Sequence, residues 1–127
     1  MREPRVRRLF LSLSLVLIAT AAQAGPGDAA LGEDLFDQYC AACHDTGVSN
    51  GQGPSLKGVV GRRIAAVPGF AYSTPLKAAG AKGERWSEAQ LDKFLTEPSK
   101  MYPGTAMPQA IGKPESRAAL IAFLKTK

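Results

Sequence analysis

The stretch YCAACH, residues 39–44, contains both cysteines and the only histidine of this 127-residue chain. The two cysteines stand three positions apart, and His44 follows directly after Cys43. Residues three and four positions apart lie on the same face of a helical turn. The spacing therefore predicts that Cys40, Cys43 and His44 project to one side of the backbone and act on one group.

Several kinds of site use cysteine at this spacing. A disulfide between Cys40 and Cys43 is the simplest alternative in an exported protein. A thioredoxin-like redox pair requires a strand before the cysteines, whereas Leu31, Leu35 and Tyr39 follow helical spacing. A structural zinc ion requires four ligands, and two cysteines and one histidine leave it one short. Attachment of a c-type haem requires only Cys-x-x-Cys-His in one place, so the motif favours a haem.

In such a site each cysteine forms a thioether to one vinyl group of the porphyrin, and the histidine binds the iron from one side. We therefore predict one haem c as the cofactor, covalently attached through Cys40 and Cys43, with His44 as the proximal iron ligand. A second histidine ligand is excluded by the composition.

The residues themselves leave the second axial position open between a methionine, a lysine and a free coordination site. Met101 and Met107 both lie in SKMYPGTAMP, residues 99–108. Proline and glycine at this density are typical of a loop, and loops often carry functional side chains. Periodicity does not choose between the two methionines, since either could fill a core.

The first 24 residues have the pattern of an export signal. Four arginines precede an apolar run over residues 9–22, and Ala22-Gln23-Ala24 is a small-x-small cleavage site. A membrane-spanning helix needs about 20 apolar residues. We therefore predict a cleaved signal peptide over residues 1–24, a single domain over residues 25–127, a periplasmic location and no membrane span after cleavage.

Removal of this segment changes the charge of the chain. Residues 1–24 hold four arginines and one glutamate, so 12 basic and 10 acidic residues remain and the formal charge falls from +5 to +2. The remaining lysines form no basic run, which argues against a nucleic acid partner. The sequence also offers no second histidine, no paired acids and no phosphate-binding loop, so we predict that the protein is not an enzyme.

Helix signals recur along the chain and predict an all-α fold. Asp28 is suited to cap the first helix, Ser87 and Gln90 form a capping box, and Gly80 is suited to end a helix. The predicted helices run from Asp28 to about Cys43, from Thr74 to Ala79, from Ser87 to just before Pro98, and from Pro114 to about Lys125.

Beyond the haem motif, several short patterns occur in an order that points to a known family. They are Gly32 and Phe36 in the first helix, CAACH, GPSLKGVVGR at 53–62, PGFAYS at 68–73, Trp86, YPGTAMP at 102–108, and RAALIAFL at 117–124. In these features the chain resembles a class I c-type cytochrome, of the small soluble bacterial kind related to mitochondrial cytochrome c. The resemblance implies the cytochrome c fold, with loops wrapping one covalently bound haem. It also implies that the first and last helices cross at Gly32, against Leu120 and Phe123.

The resemblance assigns further site residues. It makes Met107 the distal iron ligand and makes the carbonyl of Pro54 the acceptor for Nδ1 of His44. It places four more side chains near the haem propionates, with Arg62 offsetting their charge and the other three donating hydrogen bonds: Arg62, Tyr72, Trp86 and Thr105. The chain departs from the family pattern at three positions, which hold Phe94, Ala106 and Gln109 in place of a common tyrosine, lysine and phenylalanine.

The function implied by the resemblance is that of a soluble periplasmic monohaem electron carrier, acting as a monomer with redox protein partners. It would shuttle single electrons from a quinol-oxidising complex or a dehydrogenase to a terminal oxidase, peroxidase or reaction centre. The alternative is an open-site haem protein, a peroxidase or gas sensor, in which Met107 is not bound to the iron.

Overall fold

The computed structural model describes residues 27–127 and contains five helices joined by loops. The helices are α1 (Ala29–Tyr39), α2 (Thr74–Ala81), α3 (Glu88–Thr96), α4 (Pro98–Met101) and α5 (Pro114–Leu124). Within the described residues the extended backbone amounts to one isolated bridge between Arg63 and Arg85, so the prediction of an all-α fold is confirmed. The predicted signal peptide lies outside the described residues. None of the helices in residues 27–127 has the length and apolar character needed to cross a membrane.

Helix α1 begins as predicted and ends earlier than predicted. The carboxylate of Asp28 accepts hydrogen bonds from the backbone N–H groups of Ala30 and Leu31, at 3.0 and 3.1 Å. The helix ends at Tyr39 rather than near Cys43, because the N–H of Ala41 bonds to the carbonyl of Phe36, five residues back, which widens the last turn. Residues 40–43 form a separate turn.

Helix α2 continues one residue past Gly80, the residue that is predicted to end it. Gly80 lies inside the helix, and the backbone of Ile64 requires a glycine there: an added Cβ would clash with the carbonyl oxygen of Ile64 and lie 3.1 Å from its carbonyl carbon. The glycine that follows the helix end is Gly83, with a φ of +80°, a conformation that glycine adopts without strain. Gly80 therefore serves packing, and Gly83 serves the turn.

Helices α3 and α5 lie close to their predicted bounds. The hydroxyl of Ser87 accepts a hydrogen bond from the N–H of Gln90 at 3.1 Å, which is one half of the predicted capping box. Helix α3 then ends before Pro98, which begins the short helix α4. Met101 is the last residue of α4, so this part of the predicted loop is helical.

Helices α1 and α5 cross at Gly32, as the resemblance implies. An added Cβ on Gly32 would clash with the carbonyl oxygen of Ala119 and lie 2.7 Å from Cβ of Phe123. Phe123 is thus a partner as predicted, whereas the nearest backbone is that of Ala119 and not that of Leu120. The reason is steric, since the small Ala119 lets the two backbones approach, while Leu120 is 1% exposed in the core.

An ion pair joins α3 to α5 and to the loop before α5. Arg117 is buried, and its Nε donates to the Asp92 carboxylate at 2.7 Å. Its Nη1 donates to the carbonyls of Ile111 and Gly112, at 3.0 and 3.1 Å. Because a buried guanidinium is stable only when it is paired and hydrogen-bonded, this residue fixes the end of the segment that follows Met107.

Candidate haem site

The turn after α1 brings the two cysteines and the histidine together. The carbonyl of Cys40 accepts hydrogen bonds from the N–H groups of both Cys43 and His44, at 3.0 and 2.9 Å, so the backbone completes one more turn beyond the helix. No disulfide joins Cys40 to Cys43. Burial and, to a smaller extent, the neighbouring Cys43 together raise the pKa of the Cys40 thiol to about 11, so this thiol would keep its proton at neutral pH.

The ring of His44 is held from one side by backbone. Its Nδ1 lies 2.8 Å from the carbonyl oxygen of Pro54, and because that oxygen can only accept, Nδ1 is the donor. The other nitrogen, Nε2, then keeps the lone pair that a metal ion needs. This is the contact that the resemblance implies for His44 and Pro54.

Glycine at position 53 is required by this arrangement. A Cβ there would lie 2.6 Å from Nδ1 of His44 and 2.7 Å from Nε2, which is closer than real side chains approach. The N–H of Gly53 also donates to the carbonyl of Cys43 at 2.7 Å, so the segment before Pro54 is tied back to the turn. The imidazole plane is therefore fixed by backbone packed against it.

Three buried side-chain nitrogen or oxygen atoms among residues 27–127 have no hydrogen-bond partner, namely Nε of Arg62, Oγ of Ser73 and Oγ1 of Thr105. Buried polar groups without a partner are rare and destabilising. All three atoms can donate to a carboxylate, and haem carries two propionate carboxylates. The side chains present thus fit the group that the cysteine motif predicts.

The guanidinium of Arg62 is oriented by its other two nitrogens. Nη1 donates to the carbonyl of Lys57 at 2.7 Å, and Nη2 donates to that of Ser55 at 2.9 Å. These bonds leave Nε as the unpaired atom. Burial lowers the pKa of Arg62, with nearby Tyr72 acting in the opposite direction. A carboxylate beside Nε would compensate for this burial.

Tyr72 is half-buried, whereas Trp86 is buried in the core. The hydroxyl oxygen of Tyr72 accepts a hydrogen bond from the N–H of Val67 at 3.2 Å. The ring of Tyr72 packs edge-on against that of Phe70, with 4.8 Å between the ring centroids. Burial raises the pKa of Tyr72, so its own proton stays available for donation. Trp86 is buried, with its ring centroid 4.9 Å from that of Phe94.

Ser73 is the residue that sequence reasoning missed. It precedes α2 at the N-cap position, where a serine ordinarily bonds the first turn of the helix. Its side chain makes no such bond, and its buried oxygen has no other partner in the described chain. Its place directly after Tyr72 is the signal that could have identified it.

The two methionine candidates are both half-buried against the core. Met101 ends α4, whereas Met107 lies in the loop between Thr105 and Pro108. Their packing does not show which of the two methionines is suited to bind the iron. The assignment of Met107 as an iron ligand comes from the sequence pattern alone.

Two thiols and an imidazole on one turn, with carboxylate-binding donors buried elsewhere, do not suit a zinc centre. Within residues 27–127 the structure brings no three His, Cys, Asp or Glu side chains together as metal ligands. The arrangement suits a c-type haem protein, in which the cysteines hold the porphyrin and the imidazole faces the iron.

Comparison with known proteins identifies the family. The sequence model of the Cytochrome c family matches residues 29–127. Cytochrome c of Ginkgo biloba is 40% identical over 110 residues, which cover 84% of this chain and 95% of that protein. The chain therefore belongs to the cytochrome c family, whose members carry single electrons on a covalently bound haem c, and it is a monohaem electron carrier of that family.

Solved bacterial structures have the same fold. Cytochrome cH from Methylobacterium extorquens matches with a TM-score of 0.72 and 44% identity, covering 80% of this chain and 100% of that chain. Cytochrome c2 from Rhodospirillum centenum matches with a TM-score of 0.74 and 31% identity, covering 79% of this chain and 98% of that chain. The predicted membership of the class I c-type cytochromes, and their fold, are confirmed.

Proposed function

We propose that this protein is a periplasmic electron carrier whose haem is attached through Cys40 and Cys43 and ligated by His44 and Met107. The observation that carries the proposal is the hydrogen bond between Nδ1 of His44 and the carbonyl of Pro54. It leaves Nε2 available on the turn that carries both cysteines, and a backbone acceptor on the far nitrogen makes an imidazole a stronger donor to a metal.

The haem supplies a reversible one-electron change at its iron. The residues of the chain determine how this change is used. His44 and Met107 would hold the iron, and small substrates would then have no free coordination position. Arg62, Ser73 and Thr105 supply buried donors for the propionates, which suits carboxylates held away from water. Tyr72 and Trp86 complete the propionate side, as the family pattern implies.

Histidine and methionine ligation raises the reduction potential of a haem. Such a carrier accepts electrons from a quinol-oxidising complex or a dehydrogenase and donates them to an oxidase, peroxidase or reaction centre. Export through the predicted signal peptide would place it in the periplasm, acting as a monomer with these partners. Its similarity to the bacterial cytochromes c2 and cH supports this role.

The test is to replace each methionine by leucine in the haem-loaded protein. A weak far-red absorption band of the oxidised protein reports iron–methionine sulfur coordination. We expect Met107→Leu to abolish this band and Met101→Leu, the matched control, to keep it. Loss of the band in the Met101 variant alone would reassign the ligand. A wild-type protein without the band, whose reduced form binds carbon monoxide rapidly, would be the open-site alternative.

A further inference from the structure

Tyr102 begins the loop that carries Met107, and it is buried although it sits between a helix end and a turn. Its side chain is 9% exposed. Its ring lies edge-on to that of Trp86 at 6.2 Å and tilted to that of Phe94 at 6.0 Å. Its N–H bonds to Pro98 in α4, and its carbonyl accepts from the N–H of Thr105 at 3.0 Å. Tyr102 thus fixes the start of the loop in the core.

The hydroxyl of Tyr102 donates to Oε2 of Glu84 at 2.9 Å. Glu84 is itself fixed, because its N–H bonds to the carbonyl of Ala79 at 3.2 Å and its carbonyl accepts from the N–H of Ile64 at 2.9 Å. The bond therefore joins the start of the Met107 loop to a segment 18 residues earlier that is anchored on both sides. Hydrogen bonds to a carboxylate are stronger than neutral ones.

The rest of the loop has little backbone support of its own. Between Thr105 and Ile111 the described chain makes no hydrogen bond from backbone to backbone. The next such bond joins the N–H of Ile111 to the carbonyl of Leu95 at 2.7 Å. Met107 lies in the middle of this stretch, where its half-buried side chain packs against the core. The backbone around it is held by the anchors at the two ends, of which Tyr102 is the first.

We propose that Tyr102, through its hydrogen bond to Glu84, is a positioning residue that holds the Met107 loop against the haem. The inference rests on the proposed function, because it requires Met107 at the iron. Burial and, to a smaller extent, the hydrogen bond to Glu84 together raise the pKa of Tyr102 to about 12, so the hydroxyl remains a donor at neutral pH.

The experiment uses the oxidised, haem-loaded protein and titrates it with imidazole, which competes with a methionine for iron. Tyr102→Phe keeps the ring and removes the donor, and Glu84→Leu removes the acceptor. We expect both to bind imidazole about tenfold more tightly than the wild type, with a weaker far-red band, because the loop releases the iron more easily. Glu84→Gln keeps an acceptor and should stay within about twofold. Tyr39→Phe is the control, since this tyrosine is 42% exposed on α1.

The outcomes separate this inference from the proposed function. A wild type without the far-red band would refute methionine ligation, and the inference with it. A wild type with the band, and imidazole affinities unchanged in Tyr102→Phe and Glu84→Leu, would overturn the inference alone. Lower thermal stability with unchanged imidazole affinity would also overturn it, because that result describes a core residue without a positioning role. Should Tyr102→Phe fail to load haem, Glu84→Leu and Glu84→Gln still decide the question.

Discussion

The segment around His44 and the segment around Met107 are built in different ways. Residues 43–56 are tied together by backbone bonds over short sequence distances, such as Gly53 to Cys43 and Leu56 to Asp45, at 2.7 and 2.8 Å. Residues 102–111 have few backbone bonds and depend on side chains from other parts of the chain, above all Glu84. The segment around His44 is thus determined locally and the segment around Met107 by tertiary contacts, so damage to the fold should displace Met107 before His44.

The largest effect is expected on the proximal side, from Gly53→Ala. The added Cβ would lie within 2.7 Å of two ring nitrogens of His44, so either the ring or the Pro54 segment must move. We expect a loss of about 3 kcal/mol in the unfolding free energy of the holoprotein, typical of overpacking, with poor haem loading. Chemical denaturation followed at the haem absorption measures it. Gly112→Ala is the control, since a Cβ there meets no atom within 4 Å, and equal losses in both variants would contradict the steric argument.

The next effect concerns the distal side and alkaline pH. The folded pKa of Tyr102 is raised to about 12, and its ordinary value is 10.0. Below pH 10 the full stabilisation is present, since both states keep the proton. Above pH 10 the unfolded state ionises first, so the contribution falls as pH rises and is lost through pH 12. Unfolding of wild type and Tyr102→Phe across this range should show a slope that the variant lacks. Parallel curves would refute the assignment of this slope to Tyr102.

A smaller effect is expected where a tyrosine is restored at position 94. Phe94 is buried, with its ring centroid 6.0 Å from that of Tyr102, at a position where the family pattern commonly has a tyrosine, whose hydroxyl would be a donor near the proposed ligand Met107. Phe94→Tyr should strengthen the bond to Met107 and shift the reduction potential by on the order of 50 mV, since 59 mV corresponds to a tenfold change for one electron. Voltammetry measures the shift, and alkaline titration measures ligand retention. No change in either would argue against a donor at this position.

The smallest effect concerns docking and salt. Ala106 is exposed at the distal loop where relatives often have a lysine, and the chain without its predicted signal carries a formal charge of +2. We expect the rate of electron transfer with a partner to fall by less than about tenfold between low and physiological salt. Stopped-flow rates over a series of salt concentrations measure this dependence. A fall of several orders of magnitude would require a concentrated charged surface.

The sequence was informative where the deciding interaction is local. The caps at Asp28 and Ser87 each need only residues two or three positions away, and the turn from Cys40 to His44 is one such unit. It failed where a distant backbone decides, as at Gly80, which is a glycine because the backbone of Ile64 leaves no room for a side chain and not because α2 ends there.

The remaining gaps have the same physical cause. Ser73 reads as a helix cap until the structure shows its oxygen buried without a partner. The pairing of Tyr102 with Glu84 leaves no periodic trace, because a loop residue and a residue near a turn share no regular spacing. The predicted contact of Gly32 with Leu120 is wrong by one residue along α5, since Ala119 occupies that place. Sequence pattern alone does not resolve a difference of one residue.

The crossing of α1 and α5 at Gly32 also has a consequence for the order of folding and haem attachment. It joins residues near the two ends of the described chain, so α1 gains its packing partner only after the last helix has been synthesised. Contacts this distant in sequence require a large loop to close, which slows folding. We therefore expect the cysteine pair that follows α1 to remain accessible for haem attachment until the final helix packs against α1.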